Sequence, residues 1–128
     1  MAETDSDLPT DPDALVRAFC AAWKHLDVDE VMGYFTDDAV YHNIPLDPAE
    51  GRDAIRGVVE MFAGMSTGID FAIHRQIADG NLVMNERTDT IVMGDRTVAL
   101  PVMGMFEIEG GRIKAWRDYF DMGQFTGA

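Results

Sequence analysis

The chain has 128 residues, enough for one domain with a sizeable core and too few for two ordinary ones. A hydrophobic fraction of 47% excludes a wholly disordered protein, and no apolar run approaches the ~20 residues of a membrane span. A formal net charge of −13 disfavours nucleic acid and anionic membranes, which leaves small neutral molecules open as ligands.

Met1 to Pro12 is acidic, polar and without periodicity, the composition of a frayed tail, and nothing there resembles a signal peptide. Residues 13–128 read as one domain. Leu15, Phe19, Ala22, Trp23 and Leu26 recur at helical spacing, so a helix is expected over Asp11–Leu26, with Asp11 or Asp13 as cap and Pro12 in the first turn. A second, short helix is expected over Asp27–Phe35, with Val28, Val31 and Phe35 inward. Ala39–Ile44 reads as a strand ended by Pro45 and Pro48. Arg52–Met65 suits a third helix, burying Ile55, Val58, Val59 and Phe62. The lone cysteine, Cys20, excludes an internal disulfide, fits a reducing cytoplasm, and has the apolar neighbours of a buried side chain.

The remainder reads as a meander of strands near Asp70–Ala78, Leu82–Met93, Thr97–Ile108 and Arg112–Asp121. Helices followed by a long, largely antiparallel sheet define an α+β fold with helices on the concave face. A two-residue Gly94-Asp95 turn would set Ile91 opposite Val98, Asp89 opposite Leu100, and Arg87 opposite Val102. At the next hairpin a strict Gly110-Gly111 turn would send Asp118 outward. A longer loop or a bulge near Lys114 shifts the register by one and turns it inward. Trp116 and Phe120 require the shift, because otherwise two large aromatics would face solvent.

The informative anomaly is polar. Val83, Asn85, Arg87, Asp89, Ile91 and Met93 share one strand face, so a cation and a carboxylate sit among hydrophobes. Asp118 is similarly flanked by Trp116 and Phe120. Buried carboxylates are costly unless paired or protonated, which makes them structural pairs or functional groups. Taken singly, Arg87 and Asp89 read equally well as an ion pair, Asp118 as an acid near the sheet rim, and Tyr41 and Asn43 as polar residues on one strand face. His42, Glu86 and Asp121 alternate away from that set. His25, His42 and His74 lack the spacing of a metal site. Several methionines, among them Met65, Met84, Met93, Met103, Met105 and Met122, are candidates to line a deformable apolar pocket.

The strings Tyr41-His42-Asn43, Glu86-Arg87-Thr88-Asp89 and Trp116-Arg117-Asp118-Tyr119-Phe120-Asp121, in this order and spacing, resemble the limonene-1,2-epoxide hydrolases. That family has the cone-shaped fold of nuclear transport factor 2 and ketosteroid isomerase, and the resemblance runs from Ala14 onward. It implies Asp118 as general base, Asp89 as general acid, Arg87 as the cation linking them, and Tyr41 and Asn43 as holders of the attacking water. Water would open a small, neutral, largely apolar epoxide directly, without covalent intermediate, metal or other cofactor. The chemistry is coherent: two acids sharing one environment tend to keep one proton between them, and a guanidinium can bond both without titrating. The outer sheet face, with Met103 and Ala99, together with the resemblance suggests a homodimer. Two other classes remain open: a ketosteroid-isomerase-like or polyketide-cyclase-like enzyme, and a non-catalytic small-ligand-binding domain.

Overall fold

The computed structural model describes residues 8–126. Of the tail expected over 1–12, positions 1–7 lie outside the described residues, whereas Leu8 packs against the core and Pro12 opens the first helix. Helix α1 (Pro12–Ala22) starts where Asp11 accepts a hydrogen bond from the Ala14 N–H at 3.0 Å. It ends earlier than its apolar periodicity suggests. Trp23–His25 tightens to a 3₁₀ turn, and Leu26 takes a left-handed φ of 52° that stops the chain from continuing. Asp27 then caps α2 (Val28–Met32) through the Glu30 N–H.

Phe35, expected to close the second helix, instead begins strand β1 (Phe35–Asn43). It is still buried, as the spacing required, but from a strand. The polar run Thr36-Asp37-Asp38 hid the first half of that strand. Strand β2 (Ala49–Glu50) is a two-residue addition on its edge. Helix α3 (Arg52–Met65) matches its expected bounds; Ile55 and Val59 are fully buried, and Val58 and Phe62 are partly so. Strands β3 (Gly68–Asp79), β4 (Leu82–Met93), β5 (Arg96–Glu109) and β6 (Arg112–Tyr119) follow, then a short helix α4 (Met122–Thr126) that periodicity did not reveal.

The six strands form one mixed sheet in the order β2-β1-β6-β5-β4-β3. All neighbours are antiparallel except β1 and β6, which run parallel and place Tyr41 beside Trp116 and Asn43 beside Asp118. Across Gly94-Asp95 the pairs are Ile91 with Val98, Asp89 with Leu100 and Arg87 with Val102, as a two-residue loop demands. At the last hairpin the Gly110-Gly111 turn is also two residues long, with φ of 59° and 77°, conformations that suit glycine. The register shift comes from a bulge: Ile108 pairs with Ile113 but Glu107 with Ala115, so Lys114 is the extra residue and Asp118 falls opposite Gly104. A second bulge lies in β3. Ile73 pairs with Arg87 and Arg75 with Glu86, leaving His74 unpaired and bringing Gln76 opposite Asn85.

The core between the helices and the inner face is strongly aromatic. Phe19 of α1 meets Trp116 edge-on at 4.9 Å and Phe35 at 5.5 Å, geometries that add to the burial of large rings. Of the methionines, Met122 lines the pocket described below, whereas Met84 and Met103 lie exposed on the outer face and Met65 is exposed at the end of α3. Alternation along β4 and β5 dictates that outward placement. Among the described residues, no helix is long and apolar enough to cross a membrane.

Candidate active site

Six polar side chains converge at and behind the base of one pocket, and strand register explains each. Asn85, Arg87 and Asp89 are successive inward positions of β4, Asp118 is turned inward by the Lys114 bulge, and Tyr41 and Asn43 share a face of β1. Arg87 is 1% exposed, Asp89 5% and Asp118 3%. A cation so deep must find acceptors for all five N–H groups. It does. Nε donates to Asp89 Oδ1 at 2.9 Å, and Nη2 donates to Asp89 Oδ2 and Asp118 Oδ2, both at 2.8 Å. Nη1 donates to Asn85 Oδ1 at 3.0 Å and to Asp118 Oδ1 at 3.3 Å. The guanidinium also lies over the Phe71 ring, 5.0 Å from its centroid.

Gly104 makes room for this cluster. A Cβ there would stand 2.5 Å from Arg87 Nη1, 2.9 Å from Asn85 Oδ1 and 3.0 Å from Asp118 Oδ1. A side chain on the facing strand would collide with the fork itself.

The two carboxylates differ in their surroundings. Asp118 Oδ1 also accepts the Trp116 indole N–H at 2.7 Å, so Asp118 has a donor independent of the arginine. Asp89 has Arg87 as its donor. Burial pushes the Asp89 carboxyl up to about 6; the Arg87 charge and hydrogen bond oppose the rise, and the Asp118 charge adds to it. Burial works against the charge on Arg87, yet the two carboxylates outweigh it and hold the guanidinium well above its ordinary value. Tyr41 is shifted upward, chiefly by burial and then by the Asp118 charge, so it is a neutral phenol. Its hydroxyl donates to Asn43 Oδ1 at 3.1 Å, and its ring stacks on Trp116 at 4.0 Å with planes 7° apart.

Asp89, Asp118, Tyr41 and Asn43 open onto a pocket of about 520 Å³ counted out to its mouth. Phe62, Ile69, Phe71 and Leu100 provide apolar walls, and Phe120 and Phe125 close in from the C-terminal side. The site therefore joins a polar floor to hydrophobic sides, the form of a cavity for a small apolar molecule with one polar atom. Among the described residues, no group of three or more His, Cys, Asp or Glu side chains is placed to share a metal ion.

The structure brings together all five residues singled out from the sequence. His42, Glu86 and Asp121 stand apart: His42 bonds the Leu46 carbonyl, Glu86 pairs with Arg75, and Asp121 accepts from the Gly123 N–H. Cys20 is buried, its thiol pushed up to about 12 chiefly by that burial. Two members of the cluster went unassigned. Alternation puts Asn85 on the inner face but assigns it no role, because an amide in a strand carries no signal by itself. Trp116 has a signal that its bulk masks: a buried indole N–H requires an acceptor, and the residue two positions on is an acid on the same face.

Comparison with known proteins agrees with this architecture. A SnoaL-like polyketide cyclase from Shewanella denitrificans superposes with a TM-score of 0.80 over 91% of this chain and 94% of its own, at 16% identity, which shows the fold alone. The molecule thus has the fold of the NTF2-like and SnoaL-like proteins. More specifically, residues 10–127 match the limonene-1,2-epoxide hydrolase catalytic domain, and the chain belongs to that family. It is 38% identical over 107 residues to the epoxide hydrolase EphG of Mycobacterium tuberculosis, spanning 84% of this chain and 71% of that one. The structure of an M. tuberculosis epoxide hydrolase of the same type superposes with a TM-score of 0.78 at 38% identity, over 88% of this chain and 84% of that one.

Proposed function

We propose that the protein hydrolyses a small, apolar, limonene-oxide-like epoxide to a vicinal diol by direct attack of water, with Asp118 as base and Asp89 as acid. The observation that carries this reading is one guanidinium bonded to two carboxylates that open onto the same apolar pocket. Ring opening needs a proton delivered to the departing oxygen and one removed from the attacking water. With one proton shared between the two acids, the Asp–Arg–Asp set is neutral overall, which suits a neutral substrate.

Asp89 is the acid because burial keeps its proton to about pH 6, well above an ordinary carboxyl. The guanidinium fork takes one lone pair on each of its oxygens, and a second remains on each to carry that proton. Asp118 is the base because it lies beside Asn43 on the neighbouring strand, held in place by the Trp116 indole and two guanidinium N–H groups. Tyr41 and Asn43, one strand over and in register with Trp116 and Asp118, orient the water against the base. After ring opening Asp118 holds a proton and Asp89 lacks one. Both Oδ2 atoms lie 2.8 Å from Nη2, so proton return runs beside an arginine that stays charged throughout.

Single turnover in heavy-oxygen water, with a panel of cyclic epoxides, tests the proposal. Direct attack puts one labelled oxygen into the first diol formed. An unlabelled first diol, or label found in the protein, would mean a covalent ester and reject the scheme. The exposed Leu82, Met84, Met103 and Tyr119 on β4, β5 and β6 further support a homodimer through the outer sheet face. The buried free cysteine suits a reducing compartment such as the cytoplasm.

A further inference from the structure

Behind the guanidinium, on the side away from the pocket, a line of polar groups leads to the surface. Asn85 Oδ1 accepts from Arg87 Nη1 at 3.0 Å, and Asn85 Nδ2 donates to Gln76 Oε1, also at 3.0 Å. Gln76 Nε2 donates to Asp13 at the start of α1, 2.8 Å from Oδ1 and 3.0 Å from the main-chain oxygen. We infer that Asn85, held by Gln76 and Asp13, is a positioning residue that locks the plane of the Arg87 guanidinium and so sets the spacing of the two catalytic acids. This inference rests on the reading of Arg87 as the link between an acid and a base.

The polarity of the line can run only one way. The Asp13 carboxylate and carbonyl accept and cannot donate, so Gln76 must present its NH₂ to them. Its carbonyl oxygen then faces Asn85, which must answer with its own NH₂. That leaves the Asn85 oxygen, and not its nitrogen, against Arg87. A flipped Asn85 would set two donors face to face in a site where Asn85 is 1% and Arg87 1% exposed. An acid near the surface therefore fixes the orientation of a buried amide about two links away.

The backbone is shaped for this arrangement. Without the His74 bulge, β3 would place Arg75 opposite Asn85 and a second cation near Arg87. With it, His74 and Arg75 both turn outward, to Thr88 and Glu86, and Gln76 turns in. Bulges beside functional sites often re-aim one side chain in this way. The absent Cβ of Gly104 leaves the space where Asn85 Oδ1 and Arg87 Nη1 meet. Four of the five guanidinium N–H groups hold carboxylates; the fifth, on Asn85, is the one anchor that does not take part in proton transfer.

The test combines kinetics with a measurement that needs no substrate. Asn85→Leu should lower kcat about 10- to 100-fold with KM changed less than about threefold, because the fork is loosened while the pocket walls remain. At the less buried link, Gln76→Met should lower kcat several-fold, since Asn85 loses its orienting acceptor. Gln76→Glu keeps that acceptor but sets a carboxylate against Asp13. It should retain kcat within about threefold of wild type while melting lower than Gln76→Met. A merely structural role would give the opposite order, with kcat following stability. In parallel, ¹⁵N spectra of the arginine side chains, assigned to Arg87 by its loss in Arg87→Lys, should show slow guanidinium rotation in the wild type and at least about tenfold faster rotation in Asn85→Leu and Gln76→Met. Wild-type kcat in Asn85→Leu, unchanged rotation, or Gln76→Glu slower than Gln76→Met would each overturn the inference. If the wild type opened no epoxide yet rotation responded as stated, the positioning role would stand and the epoxide reading would fall.

Discussion

The bulges in β6 and β3 serve opposite sides of the same guanidinium. The Lys114 bulge in β6 turns Asp118 toward the pocket, while the His74 bulge in β3 turns Gln76 toward the rear, where it orients Asn85. In front stand ionisable groups, to which the proposed mechanism gives the proton transfers; behind stand the amides of Asn85 and Gln76, which cannot titrate. The division teaches how an arginine can be held rigidly while two acids around it change charge. Its rear anchor keeps the same hydrogen-bonding character at every stage of turnover.

The largest expected effect comes from breaking the front. Asp118→Asn and Asp89→Asn should each lower kcat/KM by about 10³-fold or more, with Arg87→Lys close behind, because a point charge cannot bond two carboxylates in a fork. Steady-state kinetics on folded protein checks this, and near-wild-type rates in any of the three would contradict the assigned roles. Next in size is a pH effect on stability. Asp89 binds its proton more tightly in the folded chain (about 6) than in the unfolded one (3.8), so its contribution is present below about pH 4 and is lost as pH rises through about 6. Between pH 4 and 7 the stability of Asp89→Asn relative to wild type should therefore improve by up to about 3 kcal/mol, measured by denaturant titration at both pH values.

Gly104→Ala strikes front and rear together, since the new methyl would press on Arg87, Asn85 and Asp118 at once. It should destabilise the fold by about 1–3 kcal/mol and lower kcat about 10- to 100-fold, seen in melting curves and initial rates. The smallest effect is expected of Trp116→Phe, which keeps an aromatic ring beside Tyr41 but removes the indole donor from Asp118. A loss of about tenfold in kcat, with substrate binding little altered, would separate that donor from the arginine's contribution.

The difference between the bulges also explains what could be read from the sequence. The Lys114 bulge was legible because Trp116 and Phe120 would otherwise have faced water, and aromatic burial is a strong constraint on register. The β3 bulge had no such marker: Ile73, His74, Arg75 and Gln76 are compatible with either phase on an edge strand. Arg87 and Asp89 were placed correctly by alternation and by the Gly94-Asp95 turn, which fixes the pairing without ambiguity. Phe35 begins a strand and not the end of a helix, a choice the sequence leaves open because a single buried aromatic fits either period and three polar residues follow it. Helix α4 escaped because its five residues, Met122–Thr126, are too few to show a period and include a glycine; it is held by tertiary contacts, among them the Arg96 hydrogen bond to the Phe125 carbonyl.

The burial of Cys20 has a consequence for a protein that handles strained, electrophilic rings. Thiolates are readily alkylated by such compounds, and an exposed one would be consumed by the very molecules passing through the cavity. With its acidity suppressed to about 12 and 1% of its surface exposed, the sulfur is almost wholly protonated at neutral pH, roughly one part in 10⁵ ionised. The chain thus keeps its single thiol behind the amide of Asn85, away from the pocket.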